Sequence, residues 1–241
     1  MKIQNSVALV TGANRGIGRA LVQELLASGA KRVYATARDI RTLKDLLETD
    51  GDRVKAVQLD ITDRHQVAQV ACNLRDVNLL INNAGVLSGV GVLNGPVEHM
   101  VQEMDTNHLG TLNMVRHFAG VIEENGGGAV VNLLTIIALA SMPGFGAYSA
   151  SKAAAWSMTQ SIRAELKARN IEVYGVFPGA VDTDMIKDVQ MPKTSPDEVA
   201  KAILAGVEAG TEDIFPDPMS QQLYEQWRRD HKAVERLLGA M

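Results

Sequence analysis

Short apolar runs alternate with longer helical patterns along almost the whole chain, and this alternation constrains the fold more than any other feature. Ser6–Thr11 (SVALVT) reads as a buried strand, and Arg15–Ser28 as a helix stopped by Gly29. Further strands are predicted over Arg32–Thr36, Val54–Leu59, Val77–Asn82, Ala129–Leu134 and Ile171–Phe177, with a short last one over Asp213–Phe215. Between them, helices are predicted over Ile40–Glu48, Arg64–Cys72, Pro96–Glu124, Ala147–Arg169 and Pro196–Ala209, and the tail from Met219 to Leu238 also reads as helix. The strands are apolar without clean alternation, as strands buried on both faces are. The pattern implies an α/β fold, a doubly wound parallel sheet with helices on both sides. No linker, charge block or repeat divides residues 1–241, so one domain is expected.

Composition narrows the function classes. At 46% hydrophobic and 22% charged residues, a large core is affordable and wholesale disorder is not expected. A net charge of −4 and only 4% aromatics give neither a basic footprint nor stacking platforms, so nucleic acid is not an expected partner. Cys72 is the single cysteine, which excludes an internal disulfide or a cysteine zinc cluster. His65, His99, His108, His117 and His231 are scattered without metal-binding spacing, so no metal is expected. The N-terminus lacks the apolar core of a signal peptide, and no run of 18 apolar residues occurs. A cytoplasmic protein that does not enter membranes is the expectation.

Thr11-Gly12-Ala13-Asn14-Arg15-Gly16-Ile17-Gly18 follows the first strand and opens the first helix. Glycines allow a tight turn and close approach of a pyrophosphate, and the helix N-terminus offers unpaired N–H groups. The spacing differs from the usual G-x-G-x-x-G, and it is the strand–turn–helix context that gives it weight. In NAD sites an acid at the end of the second strand commonly binds the ribose 2′-hydroxyl. Here Ala37 stands at that position and Arg38 follows. Arg38, with Arg15 in the glycine turn, would attract a 2′-phosphate, which favours NADP(H) over NAD(H). Asp39 would reverse that preference if the strand ran one residue further. Asp60, just past the third strand, reads either as an acceptor for the adenine amine or as a cap beside Thr62 and Asp63. Asn82-Asn83-Ala84-Gly85 follows the fourth strand, where small residues let a loop run along a cofactor.

Tyr148 and Lys152 stand four residues apart at the start of a helix and so share a face. An ammonium near a phenol favours phenolate, which predicts a Tyr pKa below its usual value of about 10 and a proton exchanger for an alcohol or carbonyl. Thr135, thirteen residues before Tyr148, ends the fifth strand and can donate to a substrate oxygen. Asn107 lies midway along a helix where Asn is a poor interior residue, and its side chain or a backbone group there is read as holding a water that relays protons from Lys152.

Together these residues resemble the classical short-chain dehydrogenases/reductases, over about residues 5–210. Thr11-Gly12-x-x-x-Gly16-x-Gly18 is similar to the family's cofactor turn, with Asn14, Arg15 and Ile17 inside it. Asn82–Gly85 resembles its segment beside the cofactor, with Asn83, Ala84, Gly85 and Ile61 along the dinucleotide. Asn107, Tyr148 and Lys152 fall on its catalytic Asn, Tyr and Lys. Pro178-Gly179-Ala180-Val181-Asp182-Thr183 resembles the stretch whose backbone at Val181 and hydroxyl at Thr183 meet the nicotinamide carboxamide. The family's Asn-x-Ser-Ser is here Asn132-Leu133-Leu134-Thr135. Thr keeps the hydroxyl and adds a methyl that restricts its rotamer.

The resemblance implies a sheet in the order 3-2-1-4-5-6-7 with three helices on each face. It also implies an NADP(H)-dependent carbonyl reductase and a homodimer or homotetramer. A short lid over about 184–194 is expected, with Met185, Ile186, Val189 and Met191, and with Leu87, Leu93, Leu139 and Met142 nearby, to favour a partly apolar alcohol or ketone. The alternative is a non-catalytic NADP-binding scaffold, which the substitutions at Leu134 and Thr135 keep open.

Overall fold

The computed structural model describes residues 1–241. Each strand leaves the sheet at its carboxyl end, and each helix returns the chain to the start of the next strand. In order these are β1 (Val7–Val10), α1 (Gly16–Ala27), β2 (Arg32–Ala37), α2 (Lys44–Asp50), β3 (Val54–Gln58), α3 (Arg64–Asn73) and β4 (Leu79–Asn82). Then come α4 (Val97–Met104), α5 (Thr111–Glu124), β5 (Gly128–Leu133), α6 (Gly146–Lys167), β6 (Ile171–Val176), α7 (Pro196–Ala209), β7 (Asp213–Ile214), α8 (Pro218–Arg229) and α9 (His231–Gly239). The seven strands are all parallel, in the order β3-β2-β1-β4-β5-β6-β7. The fold and strand order are those expected from the sequence.

Both faces of the sheet are covered, which explains the unbroken apolar strands. Along β1, Val7 and Leu9 face one core while Ala8 and Val10 face the other. The first core takes Leu21 and Leu25 of α1, Leu46 of α2 and Ile203 and Val207 of α7. The second takes Val67 of α3, Phe118 and Ile122 of α5 and Ile162 and Leu166 of α6. Full burial of one such side chain stabilises by about 1.5–3 kcal/mol.

Two helices differ from expectation. The stretch predicted as one helix over Pro96–Glu124 is broken by a π-helical turn, Asp105–Gly110, between α4 and α5. The wider turn re-aims its side chains without ending the helix, and such turns concentrate at functional sites. The tail is also two helices, because Asp230 takes an extended conformation and caps α9 by accepting from the Ala233 N–H at 3.0 Å. No helix is long and apolar enough to cross a membrane.

The chain passes from β3 at one edge to β4 beside β1, so the crossovers reverse direction between β1 and β4. In open parallel sheets a crevice opens at the carboxyl ends of the strands at such a reversal.

Candidate active site

A cavity of about 1100 Å³ occupies that crevice. It is lined by Gly12, Asn14, Arg15, Gly16, Ile17, Arg38, Asp60, Ile61, Asn83, Ala84, Gly85, Thr135, Tyr148, Lys152, Pro178, Gly179, Val181 and Thr183. Of the residues assigned to catalysis or cofactor binding from sequence, Gly18 and Asn107 do not line it.

At one end the glycine turn is built for close approach. Gly12 has φ +63°, and a side chain there would press within 3.0 Å of the Ala84 backbone. A Cβ on Gly18 would meet Gly12 O at 2.2 Å and Asn83 Nδ2 at 2.4 Å, so this glycine lets α1 pack on the turn. Asn83 braces the turn from behind: its Nδ2 donates to Thr11 O at 2.9 Å and Gly12 O at 3.0 Å. Thr11 Oγ1 accepts the Asn83 and Ala84 N–H groups, each at 3.0 Å. No side chain caps α1, so its first N–H groups face the cavity.

β2 ends at Ala37, and Arg38 follows with no hydrogen-bonded or ionic partner. Asp39 is committed elsewhere. Its Oδ1 accepts from Arg41 N at 3.0 Å and its Oδ2 from Arg41 Nη2 at 2.7 Å, and the guanidinium holds this carboxyl below its ordinary range. Asp60 Oδ1 accepts from Thr62 N at 3.0 Å and Oγ1 at 2.8 Å, a local turn rather than a helix cap, and the residue lines the cavity. Asp63 caps α3. Arg15 pairs with Asp184 at 3.4 Å, an exposed and easily screened contact.

The other end carries the polar side chains of α6. Tyr148 is half-buried and faces the cavity, and Lys152 is buried behind it. Lys152 Nζ donates to Leu133 O at 2.6 Å and lies 5.8 Å from the centre of the Tyr148 ring. Burial lowers the lysine to about 8. The expected lowering of the phenol is reversed. Burial pushes Tyr148 up, and the nearby Glu103 carboxylate pushes it further. The ammonium is held on a backbone carbonyl and does not offset them.

Asn107 does not offer its side chain to a relay water. It is buried, its Oδ1 accepts from Val86 N at 2.9 Å, and its Nδ2 donates to Val86 O and Ser151 Oγ, both at 2.9 Å. Both amide hydrogens are spent bracing the loop after β4 against α6. Thr135 Oγ1 donates to Pro178 O and accepts from Ile137 N at 3.4 Å each, a loose pair that a better acceptor displaces. Leu134 packs with Ala155 and Phe177 and also lines the cavity. A third hydrogen-bonded line, Asn82 Nδ2 to Asn132 Oδ1 at 2.9 Å and Asn132 Nδ2 to Thr159 Oγ1 at 3.0 Å, ties β4 and β5 to α6.

The apolar side is broader than expected. Met185, Ile186, Val189, Met191, Leu87 and Met142 line the cavity, whereas Leu93 and Leu139 do not. Sequence reasoning missed Met219, Leu223, Leu237, Leu238 and Met241 from α8 and the C-terminal segment. It also missed Asp217, which is buried and accepts from Ser220 N at 2.9 Å and Gly179 N at 2.8 Å, fixing α8 to the turn after β6. Asp217-Pro218 before a helical pattern is a readable cap-and-first-turn signal.

The family model for short chain dehydrogenases matches residues 6–193. A 3-oxoacyl-[acyl-carrier-protein] reductase FabG from Haemophilus influenzae is 30% identical over 212 residues, covering 86% of this chain and 85% of that protein. A 3alpha-hydroxysteroid dehydrogenase from Mediterraneibacter gnavus is 29% identical and covers 87% and 85%. The crystal structure of a short chain dehydrogenase from Burkholderia cenocepacia in complex with NADP superposes with a TM-score of 0.94 at 40% identity, covering 99% of each chain. The matched stretch carries the glycine turn, the Tyr148–Lys152 pair and the segment after β6, and the chain belongs to the short chain dehydrogenase family of oxidoreductases.

Proposed function

We propose that this protein moves a hydride between NADP(H) and an alcohol/carbonyl pair, acting as a carbonyl reductase on a partly apolar substrate. The observation that carries this reading is a single cavity with the uncapped glycine turn and unpaired Arg38 at one end, and Tyr148 and Lys152 at the other. A dinucleotide fits the residues present. Gly12 and Gly16 leave the cradle that a Cβ would fill, and a Cβ on Gly16 would stand 3.0 Å from Thr183 Cγ2. When bound, the nicotinamide supplies or accepts the hydride.

The chain's own residues do the rest. The N-terminus of α1 holds the pyrophosphate, and Arg38 with Arg15 holds the 2′-phosphate. Lys152, already tied to Leu133 O, has two further N–H donors for the ribose hydroxyls. Thr135 orients the substrate oxygen. Tyr148, kept neutral by burial, donates its proton to that oxygen as the alcohol forms. The segment 184–194 acts as a lid: Asp182 N donates to Thr194 O at 2.9 Å and Thr194 N to Ala180 O at 3.0 Å, which closes its base. Exposed Val97, Val101 and Leu109 along α4 and the π turn support a homodimer or homotetramer. A free, exposed Cys72 suits a reducing cytoplasmic setting.

The cofactor assignment is tested by titrating the wild type and Arg38→Ala with NADPH and NADH. Charge-assisted hydrogen bonds contribute about 1.5–3 kcal/mol, so Arg38→Ala is expected to weaken NADPH about 10- to 100-fold and leave NADH nearly unchanged. A wild type that prefers NADH would mean that Asp39 leaves Arg41 for the ribose.

A further inference from the structure

One face of α8 forms part of the cavity wall, through Met219, Gln222, Leu223 and Gln226. Gln222 and Gln226 are four residues apart, so their side chains are neighbours on that face. Their neighbour Gln221 spends its Nε2 on Phe215 O at 3.0 Å. The Gln222 and Gln226 amides make no hydrogen bond within the protein, and both are exposed where they meet the cavity.

An aromatic stack holds the rest of α8 in place. Phe215, Tyr224 and Trp227 stack in sequence, with 3.8 Å and 6.3 Å between ring centres. Phe215 also stacks on Phe177 at 5.0 Å, and Trp227 meets Trp156 edge-on at 6.2 Å. Trp156 lies one turn beyond Lys152 on α6, the helix that carries Tyr148. At its first turn α8 is tied to Gly179 N through Asp217. The two amides are therefore fixed relative to Tyr148, because rings join the helices that carry them.

The wall around the amides carries no charge. Arg15, Arg38, Asp39 and Asp60 line the glycine-turn end, and Asp184 is paired with Arg15. Lys152 is held on Leu133 O, and Asp105 comes from the π turn. No charged side chain of α8 or α9 lines the cavity. What the lid and the C-terminal segment offer instead is apolar. Met185, Leu237 and Met241 line the cavity while 44%, 50% and 63% exposed, surface that an apolar ligand would cover. A charge carried to this end would lose hydration and find no counter-charge. A hydroxyl or carbonyl would find a partner, since a side-chain amide both donates and accepts.

We propose that the substrate is an uncharged ketone with an extended apolar body, and that the Gln222 and Gln226 amides recognise a hydroxyl or second carbonyl at its far end. This names the substrate class of the reductase proposed above and rests on that reading. The reacting carbonyl meets Tyr148 and Thr135, the apolar body lies against Met219, Leu223 and Leu237, and the far group reaches the amides. The glutamine pair thus determines specificity: it selects neutral bifunctional ketones over plain ketones, and the uncharged wall rejects keto acids.

Three ligands separate these contributions: an eleven-carbon methyl ketone, the same ketone with a terminal hydroxyl, and the same ketone with a terminal carboxylate. Calorimetry on the protein loaded with NADP⁺, which has no hydride to give, reads their binding without turnover. The hydroxy ketone is expected to bind about 3- to 10-fold tighter than the plain ketone, the range of a neutral hydrogen bond. The keto acid is expected to bind at least about tenfold weaker than the plain ketone. Joint replacement Gln222→Leu and Gln226→Leu should bring the hydroxy-to-plain ratio to about one. Both amides are exposed and unbonded, so this double variant is expected to fold. A hydroxyl that adds no affinity, a preference that survives in the double variant, or a keto acid bound as tightly as the plain ketone overturns the proposal. Failure of all three to bind overturns it as well. The expected binding order, with no reduction of any of them by NADPH, would count against the reductase reading alone.

Discussion

Tyr148→Phe is expected to reduce carbonyl turnover about 100- to 10,000-fold, the range that general acid catalysis supplies, while leaving the affinity for NADPH within about twofold. The reasoning is local. The hydroxyl faces the cavity and makes no hydrogen bond within the protein that holds up the fold, whereas the ring packs beside Lys152, and Phe keeps that packing. Because burial and Glu103 keep the phenol neutral, the wild type has a proton to give at neutral pH. Phe has none, the Thr135 hydroxyl on that part of the wall is far too weak an acid, and Lys152 is held on Leu133 O. Steady-state kinetics with a separate cofactor titration would check this. Turnover undiminished in the variant would remove Tyr148 from the mechanism.

The second large effect is expected at Gly18. An alanine methyl there would sit 2.2 Å from Gly12 O and 2.4 Å from Asn83 Nδ2, and one of those atoms is backbone. Either the glycine turn opens or Asn83 gives up its grip on Thr11 O and Gly12 O. Overpacking costs about 1–3 kcal/mol, and each buried group left without its hydrogen bond adds about 1–3 kcal/mol. Gly18→Ala should therefore destabilise by about 2–6 kcal/mol in denaturant unfolding and weaken NADPH at least about tenfold. Gly120 is the control: it lies within α5 with nothing inside 4 Å of its Cβ position, so alanine there is expected to be neutral or stabilising. Equal stability of the Gly18 and Gly120 variants would mean that the close packing of α1 on the turn is not under strain.

The sheet was legible because buried parallel strands and their covering helices leave a coarse signal, apolar runs with two different periods. The two ends of the site were legible for a different reason. A glycine turn between strand and helix, and Tyr and Lys one helical turn apart, are local patterns whose geometry follows from the backbone alone. What stayed hidden depended on packing. A π turn adds one residue to a helix while the apolar pattern continues on either side, so Asp105–Gly110 read as ordinary helix and Asn107 as a group free to hold water. Glu103 stands between Gln102 and Met104 with no local pattern to single it out, and the loop it holds through Ser88 leaves it buried. The sense of the Tyr148 shift was misjudged for the same reason. Spacing shows the lysine beside the phenol but not the depth of either group, nor the carboxylate behind them. The C-terminal segment reaches the cavity through Leu238, which packs with Val234 and Ala140, a contact between distant parts of the chain that no local pattern announces.

Hydride transfer itself is tested most directly by following NADPH consumption and alcohol formation together, with the purified protein and aliphatic, aromatic, steroid-like and acyl-thioester ketones. The expected result is one alcohol formed per NADPH consumed on at least one of these, lost in Tyr148→Phe. Tight NADPH binding without alcohol from any of them would contradict a reductase and leave a nucleotide-binding scaffold.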